Sequence, residues 1–289
     1  MRLVALTALV MLAFAANSVL NRAAVGAGQI GALDFALLRA VAGAGVLVML
    51  IRLTGGRLPV LAPRRILGGV MLSSYLIGFS LAYLAMDAGL GALILFGGVQ
   101  VTMFAGALIL GERPPARRWL GAGMALVGLV WLVWPGHDAA SPPLWAVGSM
   151  VAAALGWGLY SLIGRGSADP LGDTGAAFVW AVVLGFLAVL VQTGGSTVNE
   201  ATLAGMALAV ISGAITSGLG YALWYHVLPR IGASVAGLTQ LCVPVIAALG
   251  GVVVLTESPT FDMVLAGAVV LGGIGWGLWP QRTSGSSAS

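Results

Sequence analysis

The chain has 289 residues, of which 60% are hydrophobic and 8% charged, and its mean hydropathy is +1.04; an ordinary soluble domain carries roughly 25% charge. That composition excludes a soluble globular surface. The 13 basic residues are all arginine, lie singly or in pairs between apolar runs and leave a net charge of +4, which is the distribution of membrane-topology signals and not of a nucleic-acid-binding face.

Cys242 is the single cysteine, so no intrachain disulfide and no thiolate cluster for a metal can form. No cofactor or metal is expected.

Apolar stretches bounded by charges, Pro and Gly predict ten membrane spans, at about 3–22, 31–51, 66–86, 89–110, 119–134, 143–164, 174–192, 202–226, 232–255 and 261–279. The first begins basic and has small residues near Ala13 to Ala16, like a secretory signal peptide. It is nevertheless long enough to span and is followed by another span, so it reads as a membrane helix.

Within that first span Asn17 and Asn21 lie one turn apart beside Ser18; uncharged hydrogen-bonding groups at membrane depth face protein or a wet cavity. They serve either as substrate contacts or as plain interhelix bonds. The second span carries Arg39, the one charge well inside a span, which costs at least a few kcal/mol unless paired or hydrated. Arg39 either receives a substrate carboxylate through a charge-assisted bond or clamps carbonyls between helices, and Asp34 is poorly placed around the helix to pair with it.

In the third span Tyr75, Phe79 and Tyr83 recur every four residues on one face. The fourth has Gln100 and a row of small residues, Gly98, Thr102 and Gly106, suited to close helix contact. The fifth is the shortest. The sixth offers Trp157, Tyr160 and Ser161, and the eighth Tyr221, Trp224 and Tyr225. Aromatic faces of this kind bind flat or apolar side chains in a cavity, or form an interfacial belt; Tyr83, Tyr225 and His226, near helix ends, fit the belt best.

The ninth span contributes Thr239 and Gln240 as polar candidates and Pro244 as a hinge candidate or static bend. The tenth has a small-residue pair, Gly273 and Gly277.

With the N-terminus inside, 11 of the 13 arginines fall on the cytoplasmic side, all but Arg22 and Arg39, while Asp87, Asp138, Glu200, Glu257 and Asp262 fall opposite. Both termini are therefore expected in the cytoplasm, on a multi-pass protein of the cytoplasmic (inner) membrane in contact with lipid.

A repeat near half the chain length organises the whole. Glu112, Pro114, Gly128, Trp131, Trp134 and Pro135 recur at a fixed offset of 145 as Glu257, Pro259, Gly273, Trp276, Trp279 and Pro280. Gly78, Phe79, Leu81 and Tyr83 match Gly220, Tyr221, Leu223 and Tyr225 at an offset of 142. Five spans per half is an odd number, so the second copy enters the membrane from the opposite side. The expected organisation is two inverted repeats, 1–138 and 139–280, with a cytoplasmic tail at 281–289, an arrangement typical of secondary transporters. The sequence does not fix the oligomeric state, although a complete inverted pair in one chain removes the need for a dimer and is compatible with a monomer.

On Leu110-Gly111-Glu112-Arg113-Pro114 followed by the glycine-rich stretch Gly121 to Pro135, with the degenerate copy Leu255-Thr256-Glu257-Ser258-Pro259 and Gly267 to Pro280, the chain resembles the drug/metabolite transporter (DMT) superfamily, specifically its ten-helix members with EamA-type repeats. The second copy departs in having Thr256 where the first has Gly111. Within that superfamily the chain resembles the YddG group of aromatic amino-acid exporters. The resemblance implies an all-α, basket-like membrane fold, a central cavity lined by the first four helices of each half, and export of amino acids, sugars, nucleotide conjugates or drugs.

No P-loop is present in the sequence. An intramembrane enzyme needs a nucleophile and base within reach, and the two histidines, His137 and His226, fall near opposite faces. The expected function is thus export of aromatic and other neutral amino acids by alternating access, with a multidrug carrier as the main alternative.

Overall fold

A computed structural model describes residues 2–133, 142–193, 201–258 and 261–278. Trp134, Pro135, His137, Asp138, Glu200, Pro259, Trp279, Pro280, Arg282 and the expected tail lie outside the described residues.

Every regular element described is helical: α1 (Arg2–Asn21), running into a π-helical turn at Arg22–Gly26, α2 (Ala32–Leu53), α3 (Pro63–Ala82), α4 (Ala88–Ile109), α5 (Ala116–Val133), α6 (Leu144–Arg165) and α7 (Pro170–Thr193). Then come α8 (Leu203–Ile211), a π-helical stretch Ser212–Leu219, α9 (Gly220–Val227), a short 3₁₀ turn, α10 (Ala233–Gln240), α11 (Val243–Leu255) and α12 (Phe261–Leu278). Backbone groups in hydrocarbon have to be satisfied within their own segment, which is why the apolar runs are helices throughout.

Among the described residues, eight stretches are long and apolar enough to cross a membrane: 2–26, 32–53, 63–82, 88–109, 144–165, 170–192, 203–230 and 233–255. The chain is a multi-pass membrane protein. Helices α5 and α12 lie where the fifth and tenth spans were expected, and each has 18 residues. At about 1.5 Å per residue that is about 27 Å, just short of a hydrocarbon core of about 30 Å.

The principal contacts join the first part of the chain to the second: α2 on α7, α3 on α6 and α7, α4 on α6, α10 and α11, α1 on α9 and α11, and α5 on α12. Small residues permit these approaches. A Cβ on Gly98 would stand 2.7 Å from Ala154 and one on Gly158 2.6 Å from Thr102, and Gly106 lies against Leu162, so the Gly98, Thr102, Gly106 row is the surface of α4 on which α6 packs. Gly121 and Gly273 bring the backbones of α5 and α12 into contact, and a Cβ on Gly273 would stand 2.7 Å from the Gly121 carbonyl oxygen.

The ninth expected span is broken. After α10 the chain makes a turn at Leu241–Cys242 and restarts with Pro244 in the first turn of α11, where its missing N–H leaves no intrahelical bond unmade. Pro244 thus begins a helix and does not kink a continuous one.

Candidate functional site

The interior centres on Arg39, which α2 delivers with no solvent exposure. Its Nε donates to Ser217 Oγ at 2.8 Å, and its Nη2 donates to Tyr75 Oη at 3.1 Å and Tyr221 Oη at 2.5 Å. The guanidinium carbon lies 5.3 Å from the Tyr75 ring centroid and 5.2 Å from that of Phe79, within reach of the negative ring faces. The two phenols are bonded to each other at 3.0 Å.

Asn17 of α1 anchors the next layer. Its Oδ1 accepts from Ser212 Oγ at 2.8 Å, Thr216 Oγ1 at 2.6 Å and Ser217 Oγ at 3.1 Å, while its Nδ2 reaches the Tyr221 hydroxyl at 3.5 Å. The π-helical stretch makes this convergence possible. In an α-helix Ser212 and Ser217 would sit roughly 140° apart, whereas the wider i→i+5 winding narrows that angle.

Aromatic rings close the remaining sides. Trp157 of α6 stands 5.0 Å from Tyr75, 4.6 Å from Tyr221 and 5.0 Å from Phe14, centroid to centroid. Its indole N–H donates to Gln240 Oε1 at 2.7 Å, tying the centre to the end of α10. Tyr160 packs on Trp157 at 5.5 Å and stacks on Tyr225 at 4.6 Å.

The structure therefore gathers Asn17, Arg39, Tyr75, Phe79, Trp157, Tyr160, Tyr221 and Gln240 around one buried centre. Asn21 lies one turn along α1, donating to Ser80 Oγ at 2.9 Å. Gln100 is buried on α4 toward Gly237, and neither of its amide atoms has a partner among the described residues. Thr239 stands apart, half-buried and bonded to the Val235 carbonyl of its own helix.

The belt expected of Tyr83 and Tyr225 is replaced by burial. Both are at most 1% exposed, with Tyr83 Oη donating to the Ala88 carbonyl and Tyr225 Oη to that of Tyr160. Helix ends here are covered by neighbouring helices, which composition alone does not reveal. Arg39 likewise holds hydroxyls, not carbonyls.

Sequence reasoning missed Phe14, Ser212, Thr216 and Ser217. Phe14 is one turn from Asn17 and Ser217 one turn from Tyr221, so helical spacing from the residues already singled out was a usable signal for those two. The π-winding had none.

At each end of the bundle a glutamate caps a helix. Glu112, after α4, accepts the Ala233 amide of α10 at 3.0 Å, pairs with Arg165 at 2.8 Å and touches Ser234 Oγ, which also receives Arg118. Glu257, after α11, accepts the Ala88 amide of α4 at 3.1 Å and pairs with Arg22 at 3.2 Å; Arg22 in turn bonds Asp87. Burial works against the charge of Glu112, but the Ala233 amide, Arg165 and Ser234 outweigh it and hold the carboxyl below the usual range. At Glu257 burial and the neighbouring Asp87 charge prevail over Ala88 and Arg22, and its pKa is raised. The Glu112 end also holds Arg65 between Asp169 at 2.8 Å and Asp173 at 2.7 Å.

A sealed polar and aromatic centre inside a multi-pass helical bundle, with charged clamps at both ends, is the architecture of a membrane transporter of small molecules. Residues 144–277 match the profile of the EamA-like transporter family, so this part of the chain is an EamA-like domain. It is 43% identical over 281 residues to a protein of Pseudomonas aeruginosa named "Uncharacterized protein PA1977", covering 97% of this chain and 96% of that one. A solved crystal structure superposes with a TM-score of 0.70 at 20% identity, over 96% of this chain and 99% of that one; at such identity the likeness is one of fold.

Proposed function

We propose that the protein exports aromatic and other neutral amino acids across the cytoplasmic membrane by alternating access, in the manner of the YddG group, with ten spans arranged as two inverted five-helix halves and the Glu112 end in the cytoplasm. The observation that carries this reading is the buried Arg39, bonded to Tyr75 and Tyr221 and ringed by Phe79, Trp157 and Phe14. A cation beside an aromatic cage suits a solute with a carboxylate at one end and a flat apolar group at the other.

The inverted arrangement is supported by geometry. Helix pairs across the two parts of the chain recur reciprocally, α3 with α6 as α1 with α9, and α4 with α6 as α1 with α11. The breaks in the eighth and ninth spans, at Ser212–Leu219 and Leu241–Cys242, are of the kind that transporters place at their binding sites. The central cation disfavours the multidrug alternative for cationic compounds, which it would repel.

The test is uptake of radiolabelled phenylalanine, tryptophan, threonine and a sugar into proteoliposomes, with and without a proton gradient. Saturable amino-acid flux that Trp157→Ala or Asn17→Ala weakens supports the reading. Equal flux of the sugar, or no flux above empty liposomes for any of these solutes, refutes it.

A further inference from the structure

We infer that the central site requires a carboxylate on its ligand and dispenses with the ammonium group, so that simple aromatic and aliphatic carboxylates occupy it as well as amino acids do. This rests on the transport reading above and narrows it to the chemical group that is recognised.

The first observation is an uncompensated charge. Arg39 has no solvent exposure, and among the described residues no carboxylate lies within 4.0 Å of its nitrogens. All three of its side-chain bonds go to neutral hydroxyls. A buried cation held only by neutral dipoles is costly, and a counter-ion brought by a ligand removes most of that cost.

The second observation is an open donor edge. Arg39 Nη1, with two N–H groups, has no partner among the described residues. Nε is committed to Ser217 and Nη2 to the two phenols, so Nη1 is the edge left for a ligand.

The surrounding hydrogen-bond chain also runs short of acceptors. Ser217 passes its proton to Asn17 Oδ1, which already serves Ser212 and Thr216. Tyr221 donates to Tyr75 in the one bond the two phenols share, and the Tyr75 proton is then left with no acceptor among the described residues. A carboxylate oxygen on Nη1, with the second oxygen taking that phenolic proton, satisfies both deficits with charge-assisted bonds.

For an ammonium group the interior offers nothing comparable. Beside Arg39 an ammonium meets a like charge, and the unpartnered buried acceptors of the surrounding helices, Asn21 Oδ1, Gln100 Oε1 and the Ser18 and Tyr160 hydroxyls, are all neutral. Recognition is therefore asymmetric: the anionic end is selected and the cationic end tolerated.

The experiment is competition against labelled phenylalanine in proteoliposomes holding the full chain, using 3-phenylpropionate (carboxylate alone), phenethylamine (ammonium alone) and phenylalaninamide. The expected result is that phenylpropionate competes within a few-fold of unlabelled phenylalanine, while the amine and the amide are at least about tenfold weaker, the size of one lost charged hydrogen bond. Tyr75→Phe, which keeps the ring, should raise the apparent KM for carboxylates, and Arg39→Lys, which keeps the charge and loses the fork, should do so more strongly. Amine or amide competing as well as phenylpropionate overturns the inference while leaving transport intact.

If labelled phenylalanine is not taken up at all, the amino-acid reading fails, and the recognition claim is decided by binding alone. Trp157 fluorescence, isolated by difference from Trp157→Phe, should then respond saturably to phenylpropionate and not to phenethylamine. The reverse order, or no response to either, overturns it.

Discussion

Glu112 and Glu257 stand 145 positions apart in sequence, and the amides they accept, those of Ala233 and Ala88, are 145 positions apart as well. Each glutamate follows the C-terminal end of one long helix and caps the start of its counterpart, Glu112 reaching from α4 to α10 and Glu257 from α11 to α4. Each also takes an arginine from the end of another helix, Arg165 of α6 or Arg22 beyond α1. A carboxylate at a helix N-terminus satisfies an orphan amide and meets the positive end of the helix dipole.

Taking away the acceptor at either glutamate should therefore loosen one end of the bundle and leave the other closed. Spin labels at Arg113→Cys and Ile231→Cys report the Glu112 end, and labels at Leu84→Cys and Ser258→Cys the Glu257 end, both in a Cys242→Ser background. Glu112→Gln should lengthen and broaden the first distance only, and Glu257→Ala, which removes the acceptor of the Ala88 amide altogether, the second only. If both distances respond to either substitution, the clamps are not independent.

Acid should act on the two clamps in opposite directions. With its clamp closed the Glu112 carboxyl sits below its ordinary value of 4.5, so the closed form binds a proton less tightly than an open, hydrated one. Its contribution is complete above 4.5 and is lost as pH falls through the lowered value. Glu257, with Arg22, Asp87 and Tyr83 around it, is raised above 4.5 when closed, so its clamp weakens as pH rises through that range and tightens as pH falls. Acidification should thus favour the form open at the Glu112 end. Widening at the Glu257 end first, on going from about pH 7 to about pH 4, would sink this assignment.

Much of this was legible in the sequence, because the signals involved are local. Span positions follow from hydropathy, and the 145-residue register followed from Glu, Pro and Trp, which are rare enough to align. That register also aligned Gly111 with Thr256, and both adopt positive φ, 79° and 56° respectively. Arg39 stood out because a charge at membrane depth demands a reason. Its partners did not, since Ser217 joins Ser212 at Asn17 within a π-helical stretch, and Tyr83 and Tyr225 are covered by the next helix and by α6 respectively. Hydropathy reads the solvent; it does not read which helix covers which.

Asn17 is the acceptor on which three hydroxyls depend, so Asn17→Ala should cost about 1–3 kcal/mol for each donor left unsatisfied and lower the melting temperature in detergent. Asn17→Asp should do the opposite. A carboxylate there accepts the same three hydroxyls and supplies the charge that Arg39 lacks among the described residues, so the protein should melt higher while losing carboxylate competition. An Asn17→Ala variant that melts like wild type would show that the hydroxyl cluster is held by something other than this oxygen, and an Asn17→Asp variant that melts lower would show that Arg39 is not short of a counter-charge there.

Thr256 offers a test of strain. It ends α11 in the left-handed region at φ 56° and ψ 26°, where a β-branched side chain crowds the backbone. Its counterpart Gly111 occupies the same region without a Cβ to crowd. Thr256→Gly relieves strain of order 1–3 kcal/mol and gives back part of it as glycine's greater freedom in the unfolded chain. The net expectation is a stabilisation of about 0.5–1 kcal/mol, read as a higher melting temperature with the Glu257 clamp distance unchanged. Because Glu112 follows Gly111 directly, as Glu257 follows Thr256, the converse substitution Gly111→Thr should destabilise the Glu112 end by a similar amount. If Thr256→Gly instead lowers the melting temperature and widens the clamp, the threonine is positioning Glu257, and the left-handed turn is not a tolerated cost but part of how that clamp is set.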